Sequence, residues 1–330
     1  MSQPSDVLDP IRSNLLRAYP KTPYRIIVIH RGRLRAEWSN LVDISERLKV
    51  ASVVKSLYAS ILGIALDDGT IRSIDDAVVD YAPWMMDVGP SEGPKEERYA
   101  TTKDRDTTFR HILTHSSGYL KLDQSPGEGF HYQTFAMNLL AHTLANAYGR
   151  YDPYADDESA RPGIGSLIEE WIRNPIGAHW EWKYGNFPDL SGQAKVNIFG
   201  NNTHIYASAR DLGRLGWLWA CDGNWFGTQV LPPGWIDACT QPLGGLQGTC
   251  PEDAWPYGQG FWINHDRRLW PELPAHSYAA WGRGGHSVWI SPADNLVIAT
   301  CPRPIDQDEE DSARSMGRGI VPRIVEALTY

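Results

Sequence analysis

Hydrophobic side chains are densest between Val50 and Leu66, where they cover nearly the whole circumference of a helix. The remaining positions are small or polar and recur at helical spacing along one stripe, which comprises Ser52, Lys55, Ser56, Ala59, Ser60 and Gly63. Gly69 follows where a left-handed residue commonly ends a helix. The pattern predicts a helix over residues 50–66 that is buried on nearly every side.

Alternating and β-branched runs predict strands toward both ends of the chain. They comprise a hairpin at residues 24–30 and 34–38 and four later strands at residues 257–264, 279–283, 286–290 and 296–301. We expect an α/β (α+β) fold in which both chain ends, residues 1–66 and 206–330, build an antiparallel sheet flanked by helices. A mostly helical domain, residues 67–205, is expected to be inserted into it.

Helical patterns and capping residues fill most of the middle of the chain. The predicted helices are residues 73–81, 107–115 capped by Thr107 or Thr108, 135–148, 167–173 capped by Ser166, and Ala209–Ala220 capped by Ser208. The acidic run 308–311 is predicted to open a final helix, because negative charge suits a helix N-terminus. Segments 87–106 and 149–165 predict loops, and the aromatic segment 179–187 predicts an irregular rim of a cleft.

Composition narrows the class of protein. A 330-residue chain that is 42% hydrophobic is typical of a globular protein with a large core, and its net charge of -9 argues against nucleic acid or an anionic membrane as the main partner. The chain starts without a basic and apolar leader and has no 18-residue apolar run, so we expect a cytoplasmic protein without membrane spans. Cysteines 221, 239, 250 and 301 show no metal spacing and are expected to be free thiols, mostly buried. Fourteen tryptophans suggest a cleft lined with aromatic faces.

Lys55 is the chemical anomaly of the predicted buried helix. An ammonium in its first turn is costly unless it is paired, and the helix dipole opposes it there. Ser52, three residues earlier, shares its face, so hydroxyl and amine can meet. A serine needs a base to become a nucleophile, and a lysine in such a place is a candidate base. The spacing alone is a weak signal, since a lysine that extends from a core helix to solvent would also fit; its place at the start of an apolar helix favours chemistry.

Three other features compete for a role. Tyr132, in a loop before the predicted helix 135–148, is a second candidate base, although a packed aromatic is the commoner reading of one tyrosine. His111 and His115 have zinc spacing, but Ile112 stands where the metalloprotease motif has a glutamate, which favours a structural pair. Residues 282–285 (GRGG) lack the helix of a phosphate loop and favour a strand edge that a ligand approaches closely. No metal or organic cofactor is implied.

Six segments, in this order, resemble the serine β-lactamase-related family, which includes class C β-lactamases, DD-peptidases, family VIII esterases and 6-aminohexanoate-dimer hydrolases. The likeness spans roughly residues 24–325 and is carried by residues 51–57 (ASVVKSL), 63–69 (GIALDDG), 108–118 (TFRHILTHSSG), 126–132 (PGEGFHY), 208–212 (SARDL) and 281–286 (WGRGGH). Several segments in register are far more specific than one serine-lysine pair. The resemblance implies a β-lactamase/transpeptidase-like fold.

The resemblance also implies roles for the candidate residues. Ser52 would be the acylated nucleophile and Lys55 its base partner, with Tyr132 as the proton shuttle. The backbone N–H groups of Ser52 and His286 would form the oxyanion hole, beside Gly285 at the far wall of the cleft. The chain is thus expected to be a serine hydrolase that acts through an acyl-enzyme.

Two positions depart from the family pattern. Thr134 stands where the family has an asparagine, so it offers one hydroxyl in place of an amide. Arg283 stands where the family has lysine or histidine; it could anchor a substrate carboxylate but could not give up a proton. We therefore expect a small-molecule ester or amide substrate, with or without a carboxylate, rather than efficient turnover of β-lactams. The alternatives are a binding module that has lost catalysis and a transacylase.

Overall fold

Strands from the two ends of the chain meet in one sheet. The computed structural model describes residues 7–154, 162–185, 190, 192–199, 202–242, 257–301 and 307–329. Its strands are β1 (Tyr24–His30), β2 (Arg33–Asn40), β3 (Leu48–Lys49), β4 (Glu181–Gly185), β5 (Asn202–Ala207), β6 (Asn224–Trp225), β7 (Thr228–Gln229), β8 (Trp262–Ile263), β9 (Tyr278–Gly282), β10 (His286–Ser291) and β11 (Leu296–Thr300). Within these residues, six strands pair antiparallel in the order β2-β1-β11-β10-β9-β8, which confirms the predicted sheet.

Helices cover both faces of this sheet. They are α1 (Asp9–Ala18), α2 (Val54–Asp67), α3 (Phe109–Leu113), α4 (Phe135–Ala147), α5 (Gly163–Ile168), α6 (Val196–Phe199), α7 (Ala209–Ala220), α8 (Trp235–Thr240) and α9 (Gln307–Thr329). Successive side chains of a strand point to opposite faces. Accordingly, Ile26 and Val28 of β1 pack in one cluster with α1 and α9, whereas Ile27 packs in the larger cluster with α2 and α7. The result is a helix–sheet–helix arrangement.

The predicted buried helix is α2, which lies in the larger of these two clusters. It ends as expected, because Gly69 has φ +79°. The small and polar stripe is its packing surface: Ser56 Oγ donates to the Gly260 carbonyl at 2.6 Å, and the indole nitrogen of Trp219 donates to Ser60 Oγ at 3.0 Å. A Cβ on Gly63 would lie 2.4 Å from the Trp235 ring, so the stripe is small because aromatic side chains press against it.

A second sheet was not predicted from the sequence. Strands β3, β5 and β4 pair in that order, and β4 lies in the segment 179–187 that was predicted to be irregular. That prediction is wrong for residues 181–185, because Trp182 of β4 packs against Gly165 and the strand pairs with β5 along its whole length. The division into residues 1–66 with 206–330 and an inserted 67–205 stays a prediction. Strand β5 crosses its boundary, since residues 206 and 207 pair with β3 and residues 202–206 pair with β4.

Three further local predictions are wrong. Residues 73–81 are not a helix, because this segment bonds to a distant one: Ala77 is extended and pairs with Thr108, and the Val78 N–H donates to the carbonyl of residue 107. Only Val78–Asp80 forms a 3₁₀ turn. Ser166 is not a helix cap; it lies inside α5 and donates to the Gly163 carbonyl. The strand expected over residues 257–264 is reduced to β8 and one isolated bridge between Tyr257 and Trp262.

Other predictions are confirmed or fall outside the described residues. Ser208 caps α7, as predicted, and Thr108, one of the two predicted candidates, caps α3; the structure shows that both do so in reciprocal capping boxes. Cys221, Cys239 and Cys301 are free thiols, whereas Cys250 and most of the acidic part of the loop 149–165 lie outside the described residues. Among the described helices, none has both the length and the apolar character needed to cross a membrane.

Candidate active site

Ser52 lies in a 3₁₀ turn, Ala51–Val53, that leads directly into α2. Ala51 has φ +48°, a left-handed conformation that costs energy for a residue with a Cβ. The neighbouring Val50 is tied to β5, because its N–H donates to the Ile205 carbonyl at 2.9 Å. Ser52 is half-buried, so a residue in this tight turn at the start of the helix remains accessible from the surface.

Lys55 reaches back along the helix to Ser52. Its Nζ lies 2.7 Å from Ser52 Oγ, and only 2% of the residue is exposed. The same nitrogen lies 4.9 Å from the centroid of the Tyr132 ring. In the part of the chain that the structure describes, this amine therefore meets a hydroxyl and an aromatic face rather than a carboxylate. Such surroundings disfavour a structural ion pair and leave the amine available to the serine.

Tyr132 is held in a cluster of aromatic rings. Its ring stacks on Trp262 with centroids 5.4 Å apart, and lies 4.3 Å from the ring of His115 and 6.0 Å from that of Tyr257. Aromatic pairs of this kind stabilise beyond the area they bury. The cluster agrees with the expectation of a cleft lined with aromatic faces, and it presents the ring of Tyr132 to Lys55.

His115 holds the backbone on both sides of Tyr132. Its carbonyl accepts from the N–H of His131 at 2.7 Å, and its Nδ1 accepts from the N–H of Gln133 at 3.3 Å. Burial lowers the pKa of His115 well below its usual value, so the ring is neutral and Nδ1 is free to accept. His115 itself has φ +55°. His115, which the sequence suggested was structural, therefore fixes the backbone on both sides of the candidate tyrosine.

Ser117 adds a further contact to this support. Its Oγ accepts from the side-chain amide of Gln133 at 3.0 Å. By contrast, His111 uses its Nδ1 to cap α3 at Thr108. The two histidines at zinc spacing thus have different partners, and the segment 115–117 supports the tyrosine loop.

The turn between β9 and β10 closes the other side of Ser52. A Cβ placed on Gly282 would lie 2.2 Å from the Val50 carbonyl oxygen and 3.1 Å from the Ser52 nitrogen, so only glycine permits this approach. Arg283 follows on the exposed side of the turn. The GRGG segment thus makes a close backbone contact, as the sequence favoured. The contact of its first glycine, however, is with the start of the protein's own helix rather than with a ligand.

Gly285 and His286 lie behind this turn. Gly285 is buried with φ +78°, and its carbonyl accepts from Thr300 Oγ1 at 3.0 Å. His286 pairs with Gly282 across the strands, and its fully buried ring lies 3.4 Å (Nδ1 to Sγ) from Cys301. Burial lowers the pKa of His286 to about 4, so its ring is neutral in the core. A side-chain role in the cleft is excluded for His286 by this burial; the backbone N–H role stays a prediction.

Thr134 lies at the start of α4 and lines a cavity of about 270 Å³. The same cavity is lined by Tyr132 and by basic side chains from the segment 95–98. Within the described residues, Arg283 is not part of its lining. The structure therefore brings Ser52, Lys55 and Tyr132 together and places Thr134 beside the tyrosine, whereas Arg283 lies on a separate turn.

Sequence reasoning named His115 and Gly282 but missed how each of them shapes this site. Neither had a local signal, because their partners lie 16 to 18 positions away for His115 and more than 200 for Gly282. Both do lie within segments that carry the family resemblance, residues 108–118 and 281–286.

Comparisons with known proteins agree with this fold. The Beta-lactamase family model matches residues 23–301. Among solved structures, a putative beta-lactamase from Bacteroides dorei DSM 17855 is similar with a TM-score of 0.71 and 16% identity, covering 98% of this chain and 99% of the other. A putative 6-aminohexanoate-dimer hydrolase from Bacillus anthracis has a TM-score of 0.67 and 18% identity, covering 96% and 83%. EstCE1, described as a hydrolase with promiscuous acyltransferase activity, has a TM-score of 0.64 and 12% identity, covering 95% and 99%. No curated protein matches the chain in sequence.

Proposed function

This chain belongs to the Beta-lactamase family, and we propose that it is a serine hydrolase that acts through an acyl-enzyme on small esters or amides. The observation that carries the proposal is the 2.7 Å contact between Lys55 Nζ and Ser52 Oγ at a buried helix entrance. A nucleophile and a base within hydrogen-bond reach are the minimum for this chemistry.

In the proposed cycle, Lys55 acts as the general base. Ser52 Oγ attacks the substrate carbonyl and transfers its proton to Lys55 Nζ. The proton then passes to the leaving group, directly or through the Tyr132 hydroxyl, and the group departs. Water, deprotonated by the same base, attacks the acyl-serine ester, which releases the acid and returns the proton to Ser52.

The oxyanion of each tetrahedral intermediate needs N–H donors beside Ser52. The Ser52 N–H is one proposed donor. The close packing of Gly282 against Val50 and Ser52 supports a second donor from the β9–β10 turn. Backbone donors held this way are already oriented before the reaction, which is the property that lowers the barrier.

The departures at Thr134 and Arg283 support esters or small amides over β-lactams. Thr134 offers one hydroxyl where the family has an amide, and Arg283 cannot give up a proton. Transfer of the acyl group to an alcohol or amine is the second candidate. It is favoured by one observation, the likeness to a hydrolase whose name includes promiscuous acyltransferase activity. The two are separated by adding an acceptor alcohol to the assay and looking for a new ester.

The test of the nucleophile uses a fluorophosphonate probe with p-nitrophenyl butyrate as substrate. The wild type should gain the probe mass on the peptide that contains Ser52 and should hydrolyse the ester, whereas Ser52→Ala should do neither. Ser56→Ala is the matched control, because Ser56 lies on the same helix stripe but its hydroxyl is bonded to the Gly260 carbonyl. Labelling of Ser52→Ala at another serine would overturn the assignment. A folded wild type that neither reacts nor turns over any ester or amide would favour the binding module.

A further inference from the structure

The cavity beside Tyr132 has a strongly basic lining. Its charged and titratable lining residues are Lys95, Arg98 and His131, and its other described lining residues are Tyr132, Gln133, Thr134 and Phe135. No carboxylate is among these lining residues, although the chain as a whole carries a net charge of -9. A basic cavity in an acidic protein favours an anionic ligand.

Arg98 is the best placed of these basic groups. It is half-buried, and its backbone is fixed from two sides: Gly93 packs against its carbonyl, and residue 98 forms a β-bridge with Lys121. Desolvation lowers the pKa of Arg98, and Asp123 opposes that shift from outside the cavity lining. A partly dehydrated guanidinium on a fixed backbone binds a carboxylate more strongly than an exposed lysine does.

Tyr132 connects this cavity to the proposed reaction centre. The tyrosine lines the cavity, and its ring also faces Lys55 at 4.9 Å. Tyr132 therefore borders both the cavity and the serine-lysine pair. This arrangement fits a small substrate with a scissile carbonyl at one end and an anionic group at the other.

We propose that this cavity is a carboxylate subsite, in which Arg98, assisted by Lys95 and His131, binds the anionic end of a small ester or amide substrate. The inference rests on the proposed hydrolase function and moves the expected carboxylate anchor from Arg283 to Arg98. Tyr132 and Phe135 are among the residues that line the same space, so an aromatic or short aliphatic linker suits the substrate.

The experiment compares matched anionic and neutral esters. One pair carries the charge on the acyl side, p-nitrophenyl hemisuccinate against p-nitrophenyl butyrate. The other carries it on the leaving group, 4-acetoxybenzoate against its methyl ester. The wild type should prefer the anionic member of at least one pair. Arg98→Gln should lower that preference, as the ratio of kcat/KM values, by about tenfold through KM, since a charge-assisted hydrogen bond is lost.

Controls separate the lost contact from a general defect. Arg105→Gln removes the same charge from an exposed position on the neighbouring turn Thr102–Asp106 and should leave the ratio unchanged. If Arg98→Gln does not fold, Lys95→Gln, at an exposed position, should lower the ratio by a smaller factor. An unaltered ratio in a folded Arg98→Gln protein that still hydrolyses neutral esters overturns the subsite but leaves the hydrolase standing.

A binding measurement makes the subsite testable without turnover. Calorimetric titration of the Ser52→Ala protein with 4-hydroxybenzoate and with succinate should show binding that weakens with added salt and by about tenfold with Arg98→Gln. Binding of neither anion at millimolar concentration would overturn the subsite, whatever the esterase assays show.

Discussion

Ser52 and Lys55 lie on one turn at the start of a single helix, whereas Tyr132 reaches the same place from a loop that distant segments hold. The first pair is set by local geometry, because residues three apart on a helix share a face. The position of Tyr132 depends on His115, Tyr257 and Trp262, none of which is near it in the sequence. The wall of the cleft that carries Ser52 and Lys55, the helix wall, is therefore specified by local sequence. The wall that carries Tyr132, the loop wall, is specified by contacts with distant segments.

This difference has a functional consequence. The wall with Ser52 is part of the main core and has little freedom to vary, since large side chains press on α2 from nearly every side. The wall with Tyr132 borders the cavity and the exposed segment that contains Lys95. We expect the helix wall to fix the chemistry and the loop wall to select the substrate, which is the usual division between a rigid scaffold and its loops.

The largest effect is expected on the helix wall. Lys55→Met keeps the length and the apolar stem of the side chain but removes the amine, so kcat/KM for p-nitrophenyl butyrate should fall by about a thousandfold or more. Lys21→Met, at an exposed position, is the control and should retain wild-type rates. Because the substituted amine is buried with no carboxylate partner among the residues that the structure describes, the melting temperature should hold or rise. Retention of more than a tenth of the activity in Lys55→Met would show that another group is the base.

The helix wall was also the part that the sequence predicted best. Its apolar run, its polar stripe and the stop at Gly69 are all local signals, and each appears in the structure. The capping box at Ser208 was readable for the same reason. Where a distant partner decides the conformation, local signals misled: residues 73–81 bond to the segment before α3 instead of forming a helix.

The loop wall and the β9–β10 turn depended on contacts that no spacing reveals. The family resemblance predicted that Tyr132 and the WGRGGH segment approach Ser52, but not that Gly282 is the residue in contact. Nor could it predict that the basic lining of the cavity beside Tyr132 comes from Arg98 rather than Arg283. These positions follow from the tertiary packing of loops, which periodicity does not encode.

A smaller effect is expected when the phenol is removed from the loop wall. Tyr132→Phe keeps the ring packed against His115 and Trp262 and deletes only the hydroxyl, so kcat should fall by about tenfold to a hundredfold with little change in stability. Tyr257→Phe makes the same deletion in the same aromatic cluster and should have the smaller effect on kcat. Wild-type kcat in Tyr132→Phe would assign proton transfer to Lys55 alone.

The smallest effect is expected from the residue that only positions Tyr132. His115→Ala removes the Nδ1 acceptor of the Gln133 N–H and places alanine at φ +55°, so we expect about a tenfold lower kcat and a loss of about 1–3 kcal/mol in the free energy of unfolding. His115→Asn should recover part of both losses, because asparagine tolerates the left-handed conformation and offers an oxygen acceptor at a similar place.

A double-mutant cycle distinguishes positioning from plain destabilisation. If His115 acts through the Tyr132 hydroxyl, His115→Ala should lower kcat much less in the Tyr132→Phe background than in the wild type. The wild type should also lose stability as the pH falls below about 6.5, the ordinary histidine pKa, because the folded state resists protonation of the buried ring; His115→Asn should lose less over that range. Full multiplication of the two kcat effects, together with a lowered melting temperature of His115→Ala, would show that His115 only packs within the loop wall and does not act through the Tyr132 hydroxyl.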